Sequence, residues 1–399
     1  MKVAQFSGYV SEHSGYHHGE ASLNGAIINM AQDFVGSNNI NLLTPNGQFG
    51  TRLQGGKDHA SERYIYTKLT KTTRLIFRPE DDPILKYLDD DGLSVEPIYY
   101  VPIIPMILVN GSIGIGTGFA TNIPCFNPMD IIIYIENVLK EDETKPTIIP
   151  YYNNFKGNIE QIEDYKYITT GNINVNNNKL IISELPIGLW NGPYLLFLEK
   201  CIDEKKFDIK DYKDLSTDKS IHLELTFGND TELSNKVVLH NLCHKLKLTS
   251  NLTLSNMYLF NKDEQLIHYG SVYEIIDEFM NTRLEYYNIR KDYQLSQLND
   301  DLKLYSNKYK FIMELLEDTI DLRRKKSAEI VELLSEHEYD KHENSYSYLV
   351  KMPMESVNEE NVNRLKNLYE NTKLSIELLE KKTIQEMYLE ELVELKESL

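Results

Sequence analysis

The chain has 399 residues, enough for two or three domains with cores of their own, and its 41% hydrophobic and 26% charged content fits a soluble globular protein. No apolar run is long enough to span a bilayer, and the opening "MKVAQFSGYVSEHSGYHHGE" lacks the apolar segment of a secretory leader. The three widely spaced cysteines, Cys125, Cys201 and Cys243, exclude a disulfide framework and suit a reducing compartment, and a net charge of −19 argues, taken alone, against a nucleic-acid partner.

Three regions differ in texture. The first, 1–138, mixes helical patterns with glycine-rich loops. "SLNGAIINMAQDFVGSNNINLL" carries apolar residues at Leu23, Ile27, Ile28, Met30, Ala31 and Phe34, which predicts a helix that stops at the Gly36–Asn39 turn. "TKLTKTTRLIF" reads as a second short helix. "VPIIPMILVNGSIGIGTGFATNIP" reads as strand-rich around a glycine-punctuated loop. Helix, turn, basic helix and strands in that order suggest a helix-turn-helix or winged-helix layout. In the second region, 139–264, "KYITTGNINVNNNKLIISELP" predicts two strands joined at Asn176–Asn178, and "SIHLELTF" alternates, so an α+β domain is expected. The third region, 265–399, is nearly all helical. Leu295, Leu298, Leu302, Tyr305, Tyr309, Ile312 and Leu316 form one heptad seam, and Leu365, Tyr369, Thr372, Ile376 and Leu379 a second. "HEYDKHENSYSYLVKMPMESV" breaks the pattern between them. That arrangement predicts an antiparallel coiled coil with a globular tip, against the plainer alternative of a helical bundle.

The charge is unevenly distributed. From Gly50 to Pro79 stand Arg52, Lys57, Arg63, Lys68, Lys71, Arg74 and Arg78 against Asp58 and Glu62, a local net of +5 that leaves −24 for the rest. A basic island in an acidic chain is either chance or a polyanion-binding face held in one place. The island contains "GGKDHASERYIYTKL", in which Arg63 directly precedes Tyr64. "YHHGE" (16–20) and "GQFGTR" (47–52) lie upstream. A tyrosine that attacks a phosphodiester must lose the proton of a phenol with pKa near 10, about 4 kcal/mol uphill at neutral pH. A neighbouring base or cation has to offset that. Arginine suits the charge that develops on phosphorus, and a histidine can move the proton. Spacing alone does not bring the histidines to the tyrosine. Tyr66 is read as a packing residue. His240, Cys243 and His244 are close enough to suggest a metal site, although they fall short of a closed zinc set.

"KVAQFSGYVSEHSGYHHGEASL", "AQDFVGSNNINLLTPNGQFGTRLQGGKDHASERYIYTKL" and "VEPIYYVPIIPMILVNGSIGIGTGFATNIPCFNP" resemble the DNA breakage-reunion core of type IIA DNA topoisomerases, in the eukaryotic and large-DNA-virus form. The resemblance continues through "IISELPIGLW", "RLEYYNIRKDY" and "YSYLVKMPMESV". It implies that Tyr64 is the nucleophile of a 5′-phosphotyrosyl link, that Arg63 stabilises the scissile phosphate, and that His18 is the catalytic histidine, with His17 structural or at the DNA. It also implies that Ile115 wedges between base pairs and that Lys57, Gln48 and Arg52 line the DNA. The implied fold is α+β and multidomain: a winged-helix domain (1–138), an α/β tower (139–264), and a long antiparallel coiled coil ending in a helical dimerisation tip (265–399). The implied partners are double-stranded DNA and a second copy of the chain, at the nucleus or a viral replication site.

The family also uses Mg²⁺, held by a glutamate and a D-x-D pair, and ATP. Neither that carboxylate cluster nor a nucleotide-binding loop occurs here. "EDD" (80–82) and "DDDG" (89–92) read as exposed turns. The expectation is a piece of a larger or split enzyme that lacks the metal-binding and ATPase segments, and the absence of a long charged tail leans towards a viral or compact form. Two alternatives come from other classes: a non-catalytic DNA-binding dimerisation module, and a tyrosine recombinase forming 3′ links.

Overall fold

The structure is a computed structural model and describes residues 1–228, 233, 235–353 and 357–399. The chain divides into two compact units, residues 1–283 with 389–399, and residues 284–388.

Helices α1 (Val3–Ser14) and α2 (Glu20–Ala31) open the first unit. Val3, Ile27, Ile28 and Ala31 bury their side chains with Leu43, Phe49 and Ile65. The predicted helix over "TKLTKTTRLIF" forms only in its second half, as α3 (Lys71–Ile76). Thr70 caps it by accepting from the Thr73 amide, and the residues before it are extended, with Tyr66 bridging Lys2 and Asn46 and Leu69 bridging Leu43. Next come β1 (Tyr87–Asp90) and β2 (Leu93–Pro97), joined by Asp91–Gly92, both at positive φ (52° and 85°). That is the aspartate-glycine turn whose twist suits a tight hairpin.

The stretch read as strand-rich holds less sheet than predicted. Val101, Ile103 and Ile104 are buried without strand pairing, Met106–Val109 is a one-turn helix (α4), and only β3 (Ser112–Ile115) and β4 (Ala120–Ile123) pair. Pro102 and Pro105 have no amide to give a ladder, so this apolar run packs as coil. Helix α5 (Pro128–Leu139) follows, capped by Asn127.

The middle of the chain is antiparallel sheet and helix: β5 (Asn158–Glu163), β6 (Lys166–Thr170), β7 (Asn172–Asn176), β8 (Lys179–Glu184), α6 (Asn191–Asp203), β9 (Ile209–Asp214), β10 (Leu223–Phe227), α7 (Lys236–Lys245), β11 (Thr249–Thr253), β12 (Tyr258–Phe260) and β13 (Leu266–His268). The sheet orders are β7-β8-β10-β9 and β11-β6-β5, with β12-β13 a separate hairpin. "KYITTGNINV", predicted as one strand, is therefore two, in different sheets. The switch falls at Gly171, where a Cβ would lie 2.4 Å from the Glu184 carbonyl oxygen. Leu180, Ile182, Leu223 and Leu225 meet Tyr194, Leu198 and Cys201 of α6 in the core.

Helix α8 (Val272–Leu316) passes from the first unit into the second, which adds α9 (Ser327–Glu336), α10 (Ser347–Val350), α11 (Glu359–Lys381) and the start of α12 (Ile384–Ser398). Lys291 on α8 donates to the carbonyls of Glu380 and Lys382 (3.0 and 2.7 Å), and Leu298 shares a cleft with Ser375. The two long helices thus run antiparallel, with Leu365 and Ile376 of the second seam buried. Tyr339, Tyr346 and Leu349 of the predicted break form a small core with Phe311, Ile320 and Leu334, which precede it. Met354–Ser356 of the break lie outside the described residues.

Back in the first unit, Arg283 on α8 is fully buried. It donates to Asp81 (2.7 Å) and to the Val101 carbonyl (3.0 Å). Asp81 is therefore not part of an exposed turn as "EDD" suggested, because the carboxylate is the counter-ion of a buried guanidinium.

Candidate active site

Close backbone packing and hydrogen bonds from neighbouring elements shape the loop from Gly47 to Ala60. Gly50 has φ +94°, and a Cβ there would sit 2.4 Å from the Gly56 carbonyl oxygen. Gly55, also at positive φ, packs its bare backbone on the Trp190 indole. Gln32, at the end of α2, donates to the carbonyls of Phe49 (2.9 Å) and Gly56 (3.2 Å), and Asp58 accepts from the Thr51 amide (2.8 Å) and hydroxyl (2.6 Å). The Gly192 amide donates to the Leu53 carbonyl from outside the loop (2.8 Å). The loop is thereby tied to neighbouring elements along its length, and Lys57 leaves it exposed to solvent.

The segment that follows is pinned through its backbone. The Val3 and Ala4 amides donate to the carbonyls of Ile65 (3.0 Å) and Glu62 (3.1 Å), and Tyr66 exchanges hydrogen bonds with Asn46 (2.9 and 3.1 Å). Three neighbouring side chains then part company. Ile65 is 1% exposed in the core, Tyr64 is 76% exposed, and Tyr66 is 45% exposed. The packing role assigned to Tyr66 belongs to Ile65, the one side chain of the three that is buried.

Arg63 lines a cleft of about 410 Å³ together with His59, Glu62 and the first turns of α2 (Glu20, Ala21, Asn24 and Gly25). Among the described residues the buried Asn24 Oδ1 has no hydrogen-bond partner. His18 precedes α2 by two residues, its ring edge-on to Tyr16 (5.4 Å), and His17 lies 3.8 Å from Asp90. Arg63 and the helix that His18 introduces are brought together. Among the described residues no hydrogen bond or ion pair joins Tyr64, Arg63 and His18 to one another.

The basic island is narrower than its sequence. Arg52, expected to line DNA, is buried, and its guanidinium is clamped on Glu184. Glu184 also accepts from the amides of Leu185 (3.0 Å) and Lys156 (3.3 Å). Arg74 pairs with Asp82 (2.6 Å), and Arg78 with Glu394 (2.7 Å). Lys57, Arg63, Lys68 and Lys71 remain exposed, with no ion pair among the described residues. Gln48 is exposed beside them in sequence, and Ile115 ends β3 at 93% exposure. Glu184 was missed at the level of sequence although a signal was present. It continues the inward register of Leu180 and Ile182 on β8, and a carboxylate at an inward position requires a partner.

The His240–His244 pair on α7 stacks edge to face at 4.8 Å, and His244 Nδ1 is 3.0 Å from the Thr249 hydroxyl. Burial pushes the Cys243 thiol pKa up, away from the thiolate a metal needs. Among the described residues no group of three histidine, cysteine or carboxylate side chains could hold a metal ion, and no helix is long and apolar enough to cross a membrane.

Residues 1–396 match the A-subunit family of DNA gyrase/topoisomerase IV. The chain is 40% identical to DNA topoisomerase 2 of Plasmodium falciparum over its whole length, which is 31% of that relative. It is 44% identical to DNA topoisomerase 2 of Pisum sativum over 84% of the chain and 23% of that relative. Among solved structures, the DNA-binding, cleavage and re-ligation domain of Plasmodium falciparum topoisomerase II superimposes with a TM-score of 0.91 at 40% identity, covering 100% of this chain and 58% of that one. The chain thus spans less than a third of the length of these curated relatives. A match of this extent in sequence and in fold makes the chain a member of the A-subunit family of DNA gyrase/topoisomerase IV, in the part that its DNA topoisomerase 2 relatives share with it.

Proposed function

We propose that this chain is the DNA-cleaving core of a type II DNA topoisomerase. The observation that carries the reading is Tyr64: a phenol held out in solvent by a backbone fixed on both sides, directly after Arg63, which has no ion pair among the described residues, in a chain so similar to a cleavage and re-ligation domain. In this reaction the Tyr64 oxygen attacks a backbone phosphorus and forms a phosphotyrosyl ester with the 5′ side. The P–O3′ bond breaks, the phenol proton leaves through a base, and the 3′ oxygen takes up a proton. One ester replaces another, so religation is the same step reversed. Arg63 stabilises the charge on phosphorus by paired N–H donation, and His18, brought in by the α2 entry loop, moves the proton. Lys57, with Gln48, holds the neighbouring backbone, and Ile115 bends the duplex by entering between base pairs.

By the same reading residues 1–138 are a winged-helix domain, 139–264 a tower, and 265–399 a coiled coil with a dimerisation tip. Two copies cut the two strands, in the nucleus or wherever the genome is replicated. Among the described residues no group of side chains could hold Mg²⁺, so the sites for Mg²⁺ and ATP would be supplied by other segments or chains. The test is covalent capture. The chain, supplemented with a metal-binding segment of a relative and Mg²⁺, is mixed with end-labelled DNA and denatured. A 5′-linked adduct that Tyr64→Phe abolishes is expected, and an adduct that survives the substitution sinks the assignment. That no group of three histidine, cysteine or carboxylate side chains among the described residues could hold a metal ion favours one other reading, a DNA-binding dimerisation module, which predicts salt-sensitive binding with no adduct under any supplement.

A further inference from the structure

Ile113 and Ile115 stand two residues apart on β3, and strand alternation puts them on one face. That face is in solvent: the two side chains are 82% and 93% exposed, whereas Ser112 and Gly114 on the other face are partly covered. The strand is therefore inverted relative to an ordinary half-buried one, whose apolar side faces the core. The hairpin is nevertheless well anchored. Ile113 pairs with Asn122 and Ile115 with Ala120 across it. The Asn122 amide donates to the Asn256 carbonyl (2.8 Å), and Phe119 packs on Tyr258 and Phe260 at 6.3 and 6.2 Å between ring centres. No charged residue occurs between Glu96 and Asp130. An anchored, uncharged hairpin that keeps two large aliphatic side chains in water awaits a partner with an apolar interior and a regular repeat.

We infer that Ile113 is a second minor-groove residue and that it makes DNA binding sequence-selective. This rests on the reading in which Ile115 wedges a base step. Along a strand the two side chains are about 6.7 Å apart, and base pairs follow one another at about 3.4 Å. With β3 lying along the groove, Ile113 meets it two base pairs from the wedge. An A·T pair presents only acceptors on the floor of the minor groove, and a G·C pair adds the guanine N2 amine. Isoleucine offers that amine no acceptor and covers it from water, which leaves a buried donor unpaired. Ile113 thus disfavours G·C at that one base pair. Ile115 enters between bases and does not read their edges.

The experiment uses duplexes in which 2-aminopurine is moved one position at a time. A rise in fluorescence on adding the chain locates the unstacked step. The base pairs two positions to either side are then set in turn to A·T, G·C or inosine·C, the last lacking the N2 amine. G·C is expected to weaken binding about fivefold against A·T, and inosine·C to restore it. Ile113→Ser should abolish the difference while the fluorescence rise persists, and Ile115→Ala should abolish the rise. Both positions are exposed, so neither change threatens folding. Equal affinity for all three pairs, or a G·C penalty that survives Ile113→Ser, overturns the inference. If the chain binds no duplex at all, the DNA reading of the whole chain falls, and this inference with it.

Discussion

Arg52 and Glu184, 132 positions apart in the chain, form a buried ion pair that fastens the glycine loop ahead of Tyr64 to the inward face of β8. The carboxylate is saturated: besides the guanidinium it takes two backbone amides. A buried pair contributes little against an apolar replacement, but breaking one side strands the other charge. Arg52 is thereby a positioning residue for the loop that presents Lys57, and its charge is not available to DNA.

Glu184→Ala should destabilise the first unit by about 3–5 kcal/mol, since it leaves the Arg52 guanidinium buried without a counter-ion. Urea denaturation followed by circular dichroism measures this. A loss below about 1 kcal/mol would mean that water reaches the pair.

Ile65→Ala and Tyr64→Phe should separate although the residues are adjacent. The first empties a core position and costs about 2–5 kcal/mol. The second touches an exposed hydroxyl and should stay within about 0.5 kcal/mol. Thermal unfolding of the two variants beside the parent decides the matter. A large loss for Tyr64→Phe would make that tyrosine structural.

Gly50→Ala should be worse than Gly92→Ala. Both glycines sit at positive φ, which alone strains alanine by about 1–3 kcal/mol. At Gly50 the new methyl also meets the Gly56 carbonyl oxygen, whereas at Gly92 it meets open space. Equal midpoints in parallel denaturant titrations would mean that the Gly50 loop opens freely.

If the face around Lys57 binds duplex backbone, Lys57→Ala should reduce the slope of log K against log salt by about 0.9. Arg78→Ala should leave the slope unchanged while lowering stability, because that guanidinium is committed to Glu394 and Glu391. Fluorescence anisotropy at several salt concentrations compares the two. An altered slope for Arg78→Ala would refute the division of the basic island.

Burial pushes the Cys125 thiol from 9.0 up to about 12. Its folded pKa is above the unfolded value, so its contribution to stability is complete below about pH 9 and fades as pH rises towards 12. The neutral thiol is also a poor nucleophile. Iodoacetamide at neutral pH should therefore label Cys125 only as fast as the protein unfolds, which peptide mass spectrometry can follow. Rapid labelling in native buffer would contradict the burial.

Most of the candidate site was legible in the chain because its markers are local. A glycine loop, an arginine beside a tyrosine and a histidine pair before a helix lie within short windows, and their match to a known family extends over the whole length. Side-chain commitments were not legible in the same way. Nothing within the window of Arg52 or Arg78 announces Glu184 or Glu394, and Asp82, eight positions from Arg74, read as part of an exposed turn, so all seven basic residues of the island looked alike. The apolar run at 101–109 read as strand because periodicity cannot tell a buried coil interrupted by prolines from a buried strand.

The sequence by itself determined the family, the helices with long regular periodicity, the Asp91–Gly92 turn and the order of the functional motifs, because each depends on residues near one another along the chain. Only the tertiary structure decided which charges are spent inside the protein, that Ile65 and not Tyr66 fills the core, and that Ile113 stands in solvent beside Ile115. Those outcomes depend on desolvation, which is a property of what packs against a residue and so of segments distant in sequence.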